Sequence, residues 1–320
     1  MIHLSAQKVE SAQRIVYAAM PPTPQFAWPL LAQRLGSPVW VKHENHSPVG
    51  AFKLRGGLVY LHELMRREPK CRGVISATRG NHGQSIARAA AAHGLRATIV
   101  VPHGNSVEKN AAMRALGAEL VEQGQDFQQA REVAAALAVE RGLHFVPSYH
   151  DDLVLGVATC WIEFFQAVQP EVVFVPIGQG SGICACALAR AFTGAATRIV
   201  GVVSAHATAY LDSFRAGRAV EAPVTTLLAD GMACRLPDEA ALKLILAEVD
   251  DIVAVSDDEI AAAMRALFSD THNVAEGAGA AGLAAAMQPD QRRRWHGKTV
   301  GLTLSGGNVD RDVFARVLAG

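Results

Sequence analysis

The amino-acid sequence predicts an α/β protein of two lobes, each built on a mostly parallel sheet flanked by helices. Three observations predict it. Short strand-like runs alternate with helix-length segments along most of the chain. The strand-like runs, Val172 to Ile177 above all, are continuously apolar, as strands buried on both faces are. Half of the 320 residues are apolar and only 19% are charged, enough for a substantial core.

In order, Ser5 to Met20 reads as an amphipathic helix stopped by Pro21-Pro22, and an irregular segment from Thr23-Pro24 leads to a strand over Pro38 to Lys42. Behind Lys53, Leu54, Leu58 and Leu61 recur at helical spacing. Strands follow at Gly73 to Ala77, Ala97 to Val101, Ala118 to Val121 and His144 to Val146. Helices lie between them at His82 to Ala92, Val107 to Leu116 and Phe127 to Arg141. After the loop Pro147-Ser148-Tyr149, helix Asp152 to Val168 precedes strand Val172 to Ile177 and helix Ile183 to Phe192. Strand Ile199 to Val203, helix His206 to Ala216 and strand Ile252 to Val255 come next. Helices Asp258 to Phe268 and Ala280 to Met287, strand Thr299 to Leu304 and a short terminal helix complete the pattern. We assign 69–150 to a small lobe, and 1–68 with 151–320 to a large one.

Composition narrows the function classes. Formal net charge is zero and the pI is near 7.2, so no basic surplus points to nucleic acid or to an anionic membrane surface. Lys8, Glu10 and Arg14 mark the N-terminal helix as no signal peptide, and Glu163 and Arg190 cut the most apolar windows too short to span a bilayer. The five cysteines include no Cys-x-x-Cys pair, which fits reduced, structural thiols in a cytoplasmic protein.

Four stretches could carry chemistry. Lys53, in Ser47-Pro48-Val49-Gly50-Ala51-Phe52-Lys53, stands where a turn gives way to a helix, so its amine is either a solvated surface group or a nucleophile whose pKa the helix N-terminus depresses. Thr78-Arg79-Gly80-Asn81-His82 follows a strand and opens a helix, as an ordinary capped turn or as an anion site. Gly178-Gln179-Gly180-Ser181-Gly182 repeats that geometry. It lacks the Gly-Lys-Ser/Thr of a Walker loop, and Ile183 breaks a dinucleotide fingerprint, leaving a tight turn or a phosphate cradle of another kind. Ser305-Gly306-Gly307-Asn308 ends the last strand, and Glu276 opens an Ala/Gly-rich helix. Two leads fail: His43-Glu44-Asn45-His46 is one residue short of a zinc motif, and Cys184 and Cys186 read as core.

These stretches, in this order, resemble the fold-type II pyridoxal-phosphate enzymes, a fold similar to the tryptophan synthase β chain, and within them the serine/threonine dehydratases. Asp230-Gly231-Met232-Ala233, Lys109 to Ala118 and the Ser5 to Tyr17 helix also look like family segments. The resemblance implies pyridoxal 5'-phosphate held by Lys53 as a Schiff base, with Phe52 beside it and Asn81 on its phenolic oxygen. Gly178, Gln179, Gly180, Ser181 and Gly182 would cradle its phosphate; Gly231 and Glu276 would border it. Ser305 would face the ring nitrogen, a neutral partner that favours prompt loss of a β-leaving group. Thr78, with the amides of Arg79, Gly80, Asn81 and His82, would take the substrate carboxylate. The implied reaction is loss of water from a threonine- or serine-like 3-hydroxy amino acid, giving a 2-oxo acid and ammonia. A bulkier or acidic 3-hydroxy amino acid, or another β-elimination or β-replacement, is the alternative. The family also implies a homodimer.

The chain departs from the family pattern in three places. Arg79 replaces a small residue whose hydroxyl serine racemases use, so racemisation is not expected; the arginine either pairs outward or reads an unusual substituent such as a second carboxylate. Val203 stands where many relatives place a cation-binding glutamate, so no divalent metal is expected there. The chain ends about where the catalytic fold should, so no C-terminal regulatory domain is expected and the role reads as catabolic.

Overall fold

The computed structural model describes residues 4–320. The first part of the chain runs α1 (Ala6–Ala19), β1 (Gln25–Ala27), α2 (Pro29–Leu35), β2 (Val39–His43), α3 (Lys53–Arg67), β3 (Gly73–Ala77), α4 (Asn81–Ala92), β4 (Arg96–Val101), α5 (Val107–Ala115), β5 (Glu119–Glu122), α6 (Phe127–Arg141) and β6 (His144–Phe145). It continues α7 (Asp151–Ala167), β7 (Val172–Pro176), α8 (Ser181–Thr193), β8 (Arg198–Ser204), α9 (Ala209–Ala216), α10 (Glu239–Glu248), β9 (Asp251–Val255), α11 (Asp257–Thr271), α12 (Gly277–Met287), α13 (Pro289–Arg294), β10 (Val300–Leu304) and α14 (Arg311–Ala319).

Local chemistry sets many of these ends. Ser5 caps α1 by accepting from the Lys8 N–H, Ser256 and Glu259 form a reciprocal capping box on α11, and Gly142 closes α6 in the left-handed conformation. Among the described residues the strands make two sheets, ordered β1-β2-β10-β7-β8-β9 and β5-β4-β3-β6. All pairings are parallel except β1 with β2. The six-stranded sheet draws on both ends of the chain, whereas the four-stranded sheet comes from the stretch between Gly73 and Phe145. Strands β7 and β10 are buried almost throughout, which explains their unbroken apolar runs.

Three local readings need correction. The segment after Thr23 is not irregular but holds β1 and α2; β1 is a three-residue edge strand whose existence depends on pairing Phe26 with Val41. Helix α9 begins at Ala209 and not His206, because Ser204 captures the chain first, its hydroxyl taking the His206 N–H and its carbonyl the Ala207 N–H. Helix α10 was not foreseen; its Ala241, Leu242, Leu244 and Ile245 are buried in the same core as α8.

A buried charge cluster lies beside α3. Arg55 is fully buried and pairs bidentately with Glu44 (2.8 and 2.9 Å) and with Glu163 (2.6 and 2.9 Å), while Lys42 reaches Glu163 at 2.6 Å. Two cations thus meet two carboxylates. The pairing locks the start of α3 to β2 and α7, two residues beyond Lys53.

Candidate active site

One cavity opens where the carboxyl ends of β3, β7 and β10 face each other, the usual place for a ligand in parallel sheets. Lys53 is the first residue of α3 and lines this cavity. The approach to it is pinned to the far end of the sequence: Phe52 N–H donates to the Ser305 carbonyl at 3.0 Å, and Asn308 Nδ2 donates to the Val49 carbonyl at 2.8 Å. From α4, Ser85 Oγ donates to the Lys53 carbonyl at 2.6 Å. The Lys53 amine itself donates to Ser181 Oγ at 2.8 Å and stands 5.0 Å from the centre of the Phe52 ring. Burial pushes its pKa down to about 8, so desolvation activates this amine.

The loop before α8 is shaped for close backbone approach. A Cβ on Gly178 would fall 2.3 Å from the Gly231 carbonyl oxygen, so the Gly231 segment walls this loop and only glycine passes it. Gly180 caps α8 at φ 94°, in the left-handed region. The N–H groups of Gly180, Ser181 and Gly182 meet no acceptor among the described residues and point from a helix N-terminus, which suits an anion. Gly182 lies against the Phe52 ring, while the Gln179 amide turns to Cys234 and its carbonyl accepts from Tyr210.

The turn after β3 presents a second set of free N–H groups at a helix N-terminus, which suits an anion. Thr78 Oγ1 accepts from Gly80 N–H at 2.9 Å and Gly83 N–H at 3.2 Å, which fixes the turn and leaves the hydroxyl hydrogen free to donate. The N–H groups of Arg79, Asn81 and His82 take no acceptor among the described residues. His82 lines the cavity with its Nε2 buried and unpartnered, and burial pushes its pKa down to about 3, so the ring is neutral. Asn81 Nδ2 donates to Glu276 Oε1 at 2.5 Å and its Oδ1 accepts from Asn308 at 2.8 Å, leaving one amide hydrogen for a ligand. Glu276 also pairs with Lys109 at 3.0 Å, and Lys109 with Asp230 at 2.8 Å. Desolvation raises the Glu276 carboxyl, opposed by the Lys109 charge, and the two acids push the lysine up.

The structure thus gathers every sequence-predicted site residue around one cavity, with Gly231 contributing its wall. Lys109, Asp230 and Asn308 lie in stretches the sequence pointed to but were given no role there, and Thr303 was missed. Thr303 Oγ1 is buried without a partner and lines the cavity two residues before Ser305; the alternation of a strand puts both on one face. Among the described residues, no group of three or more His, Cys, Asp or Glu could hold a metal, and no helix is long and apolar enough to cross a membrane.

These residues fit pyridoxal phosphate: a half-buried amine whose pKa desolvation lowers, a glycine loop that a Cβ would block, and a free amide hydrogen on Asn81. Comparison with known proteins points the same way. The family model for pyridoxal-phosphate dependent enzymes matches residues 16–306. The chain is 39% identical over 285 residues to the L-threonine ammonia-lyase of Geobacter sulfurreducens, covering 87% of this chain and 69% of that one. It is 33% identical over 300 residues to the L-threo-3-hydroxyaspartate ammonia-lyase of Saccharomyces cerevisiae, covering 93% and 91%. The solved structure of the processed form of threonine deaminase isoform 2 from Solanum lycopersicum superposes with a TM-score of 0.88 at 28% identity, over 99% of this chain and 95% of that one.

Proposed function

The chain belongs to the pyridoxal-phosphate dependent enzyme family, and from that premise we propose that it is an ammonia-lyase that removes water from a threonine- or serine-type 3-hydroxy amino acid. The observation that carries this reading is the Lys53 amine lying in one cavity with two helix N-termini whose N–H groups are free among the described residues, at α4 and α8. Relatives named for threonine and for 3-hydroxyaspartate support the reaction class.

Bound pyridoxal phosphate supplies an electron sink that acidifies the substrate Cα–H and lets the β-hydroxyl depart. The chain's own residues do the rest. Lys53 Nζ would hold the cofactor and, once substrate takes its place, accept the proton from Cα. The free N–H groups at the start of α8, with Ser181, would bind the phosphate, and Asn81 would donate to the phenolic oxygen. Thr78 and the N–H groups of Arg79, Asn81 and His82 would fix the α-carboxylate. Ser305 would offer the ring nitrogen a hydroxyl and no charge. Loss of water from substrate followed by hydrolysis of the released enamine gives one 2-oxo acid and one ammonia.

Within this reading the lobes divide at 1–68 with 151–320 and 69–150, as the two sheets do, and the protein acts as a homodimer in the cytoplasm. The resemblance supports the dimer, and the five free cysteines support a reducing compartment. The decisive experiment incubates the yellow holoenzyme with L-threonine and L-serine and follows 2-oxobutyrate and pyruvate. Keto acid with equimolar ammonia is the expected result. Absence of keto acid from any 3-hydroxy amino acid, with turnover of a substrate bearing another β-leaving group, would replace this reading by a different elimination.

A further inference from the structure

Arg79 stands out because its charge is unanswered. It lines the cavity with Lys53, its Nε is buried without a partner, and no carboxylate pairs with it among the described residues. Of the other cations around the site, Lys53 has the Ser181 hydroxyl as its partner, and three are answered by carboxylates. Arg55 has Glu44 and Glu163, Lys42 has Glu163, and Lys109 has Asp230 and Glu276. Leaving a guanidinium N–H buried and unpaired costs stability, so such a group calls for a partner.

The α-carboxylate of a substrate does not account for it. That group has a backbone site on the same turn, the free N–H groups of Arg79, Asn81 and His82, organised by Thr78 Oγ1. A phosphate has its own site across the cavity at the start of α8. That leaves Arg79 as a third cationic element at the cavity, with a planar fork matched to a carboxylate.

We propose that Arg79 is a specificity-determining residue that selects 3-hydroxy amino acids bearing a second carboxylate on the β-carbon. The proposal rests on the ammonia-lyase reading and narrows its substrate to a 3-hydroxy dicarboxylic amino acid such as 3-hydroxyaspartate. Loss of water from such a substrate and hydrolysis of the enamine would give a 2-oxo dicarboxylic acid and ammonia, with no oxidant or reductant required.

The test compares wild-type holoenzyme with R79Q and R79K, each checked for folding by circular dichroism and cofactor absorbance. One arm measures binding of L-aspartate and L-alanine, which lack the leaving hydroxyl, from the cofactor's spectral change. The other measures kcat/KM for L-threo-3-hydroxyaspartate and L-threonine. The wild type is expected to favour the dicarboxylic member of each pair, and R79Q to lower both preferences by about 30-fold or more. R79K, with its charge kept and its fork lost, is expected to fall between them. Equal binding of L-aspartate and L-alanine by the wild type would overturn the proposal, as would a preference that survives in R79Q. So would equal weakening of both ligands, which would put Arg79 on the α-carboxylate. An Arg79-dependent preference for L-aspartate without keto acid from either hydroxy amino acid would support the role of Arg79 and defeat the ammonia-lyase reading instead.

Discussion

Asn81 Nδ2 donates to Glu276 Oε1 at 2.5 Å, joining the start of α4, which follows β3 of the four-stranded sheet, to the start of α12, which packs on the six-stranded one. Glu276 in turn holds Lys109, so one buried carboxylate aims the Asn81 amide and neutralises a lysine of α5. E276Q keeps a hydrogen-bonding carbonyl for Asn81 but takes away half of the anionic partnership of Lys109. We expect a loss of about 2 kcal/mol in urea unfolding and weaker cofactor binding. Unchanged values for both would show that Asp230 alone satisfies the lysine.

Lys53 is expected to be irreplaceable as the amine. K53A should lower keto-acid release by about 10³-fold or more, and borohydride should no longer fix the chromophore to the chain. Mass spectrometry of the reduced wild type should place the added mass on the peptide containing Lys53.

The depressed pKa of that amine sets a pH dependence. Only the neutral amine attacks an aldehyde, and its folded pKa is near 8 in place of the ordinary 10.5. After removal of cofactor, the rate of pyridoxal phosphate uptake should rise with pH and level off above about 8. A rate still rising toward pH 10 would mean an ordinary exposed lysine. The same shift makes the unfolded chain bind more protons between those values, so the Lys53 contribution to stability grows with pH across that window.

The glycine loop is expected to tolerate no side chain at its first position. A Cβ on Gly178 would meet the Gly231 carbonyl oxygen at 2.3 Å, backbone against backbone, so G178A must spread the loop. The strain of about 1–3 kcal/mol should appear as a roughly 10- to 100-fold weaker cofactor Kd, measured by absorbance titration.

Removing the guanidinium beneath the site should be costly in a different way. R55M leaves Glu44 and Glu163 buried with Lys42 as their remaining cation. Breaking a buried pair from one side costs about 3–5 kcal/mol, so we expect a clear drop in Tm together with loss of activity. The double variant E44M/R55M, which removes charges in balance, should recover part of that loss.

The sequence by itself determined the alternation of strands and helices, and the placement of Lys53, Thr78 and Ser181 at strand-to-helix turns. Both follow from local rules: apolar runs for strands buried on two faces, and turn residues before helical spacing. Only the tertiary structure decided what those turns do together. Pairing β10 with β2 and β7 brings Ser305 and Asn308 against residues 49–52, and no local pattern encodes that distance along the chain. The same folding made Glu276 the partner of Asn81 and Lys109, where its place at a helix start alone left its role open. It also left Arg79 lining the cavity with no carboxylate partner among the described residues, because whether a charge is answered depends on neighbours that only the assembled fold supplies.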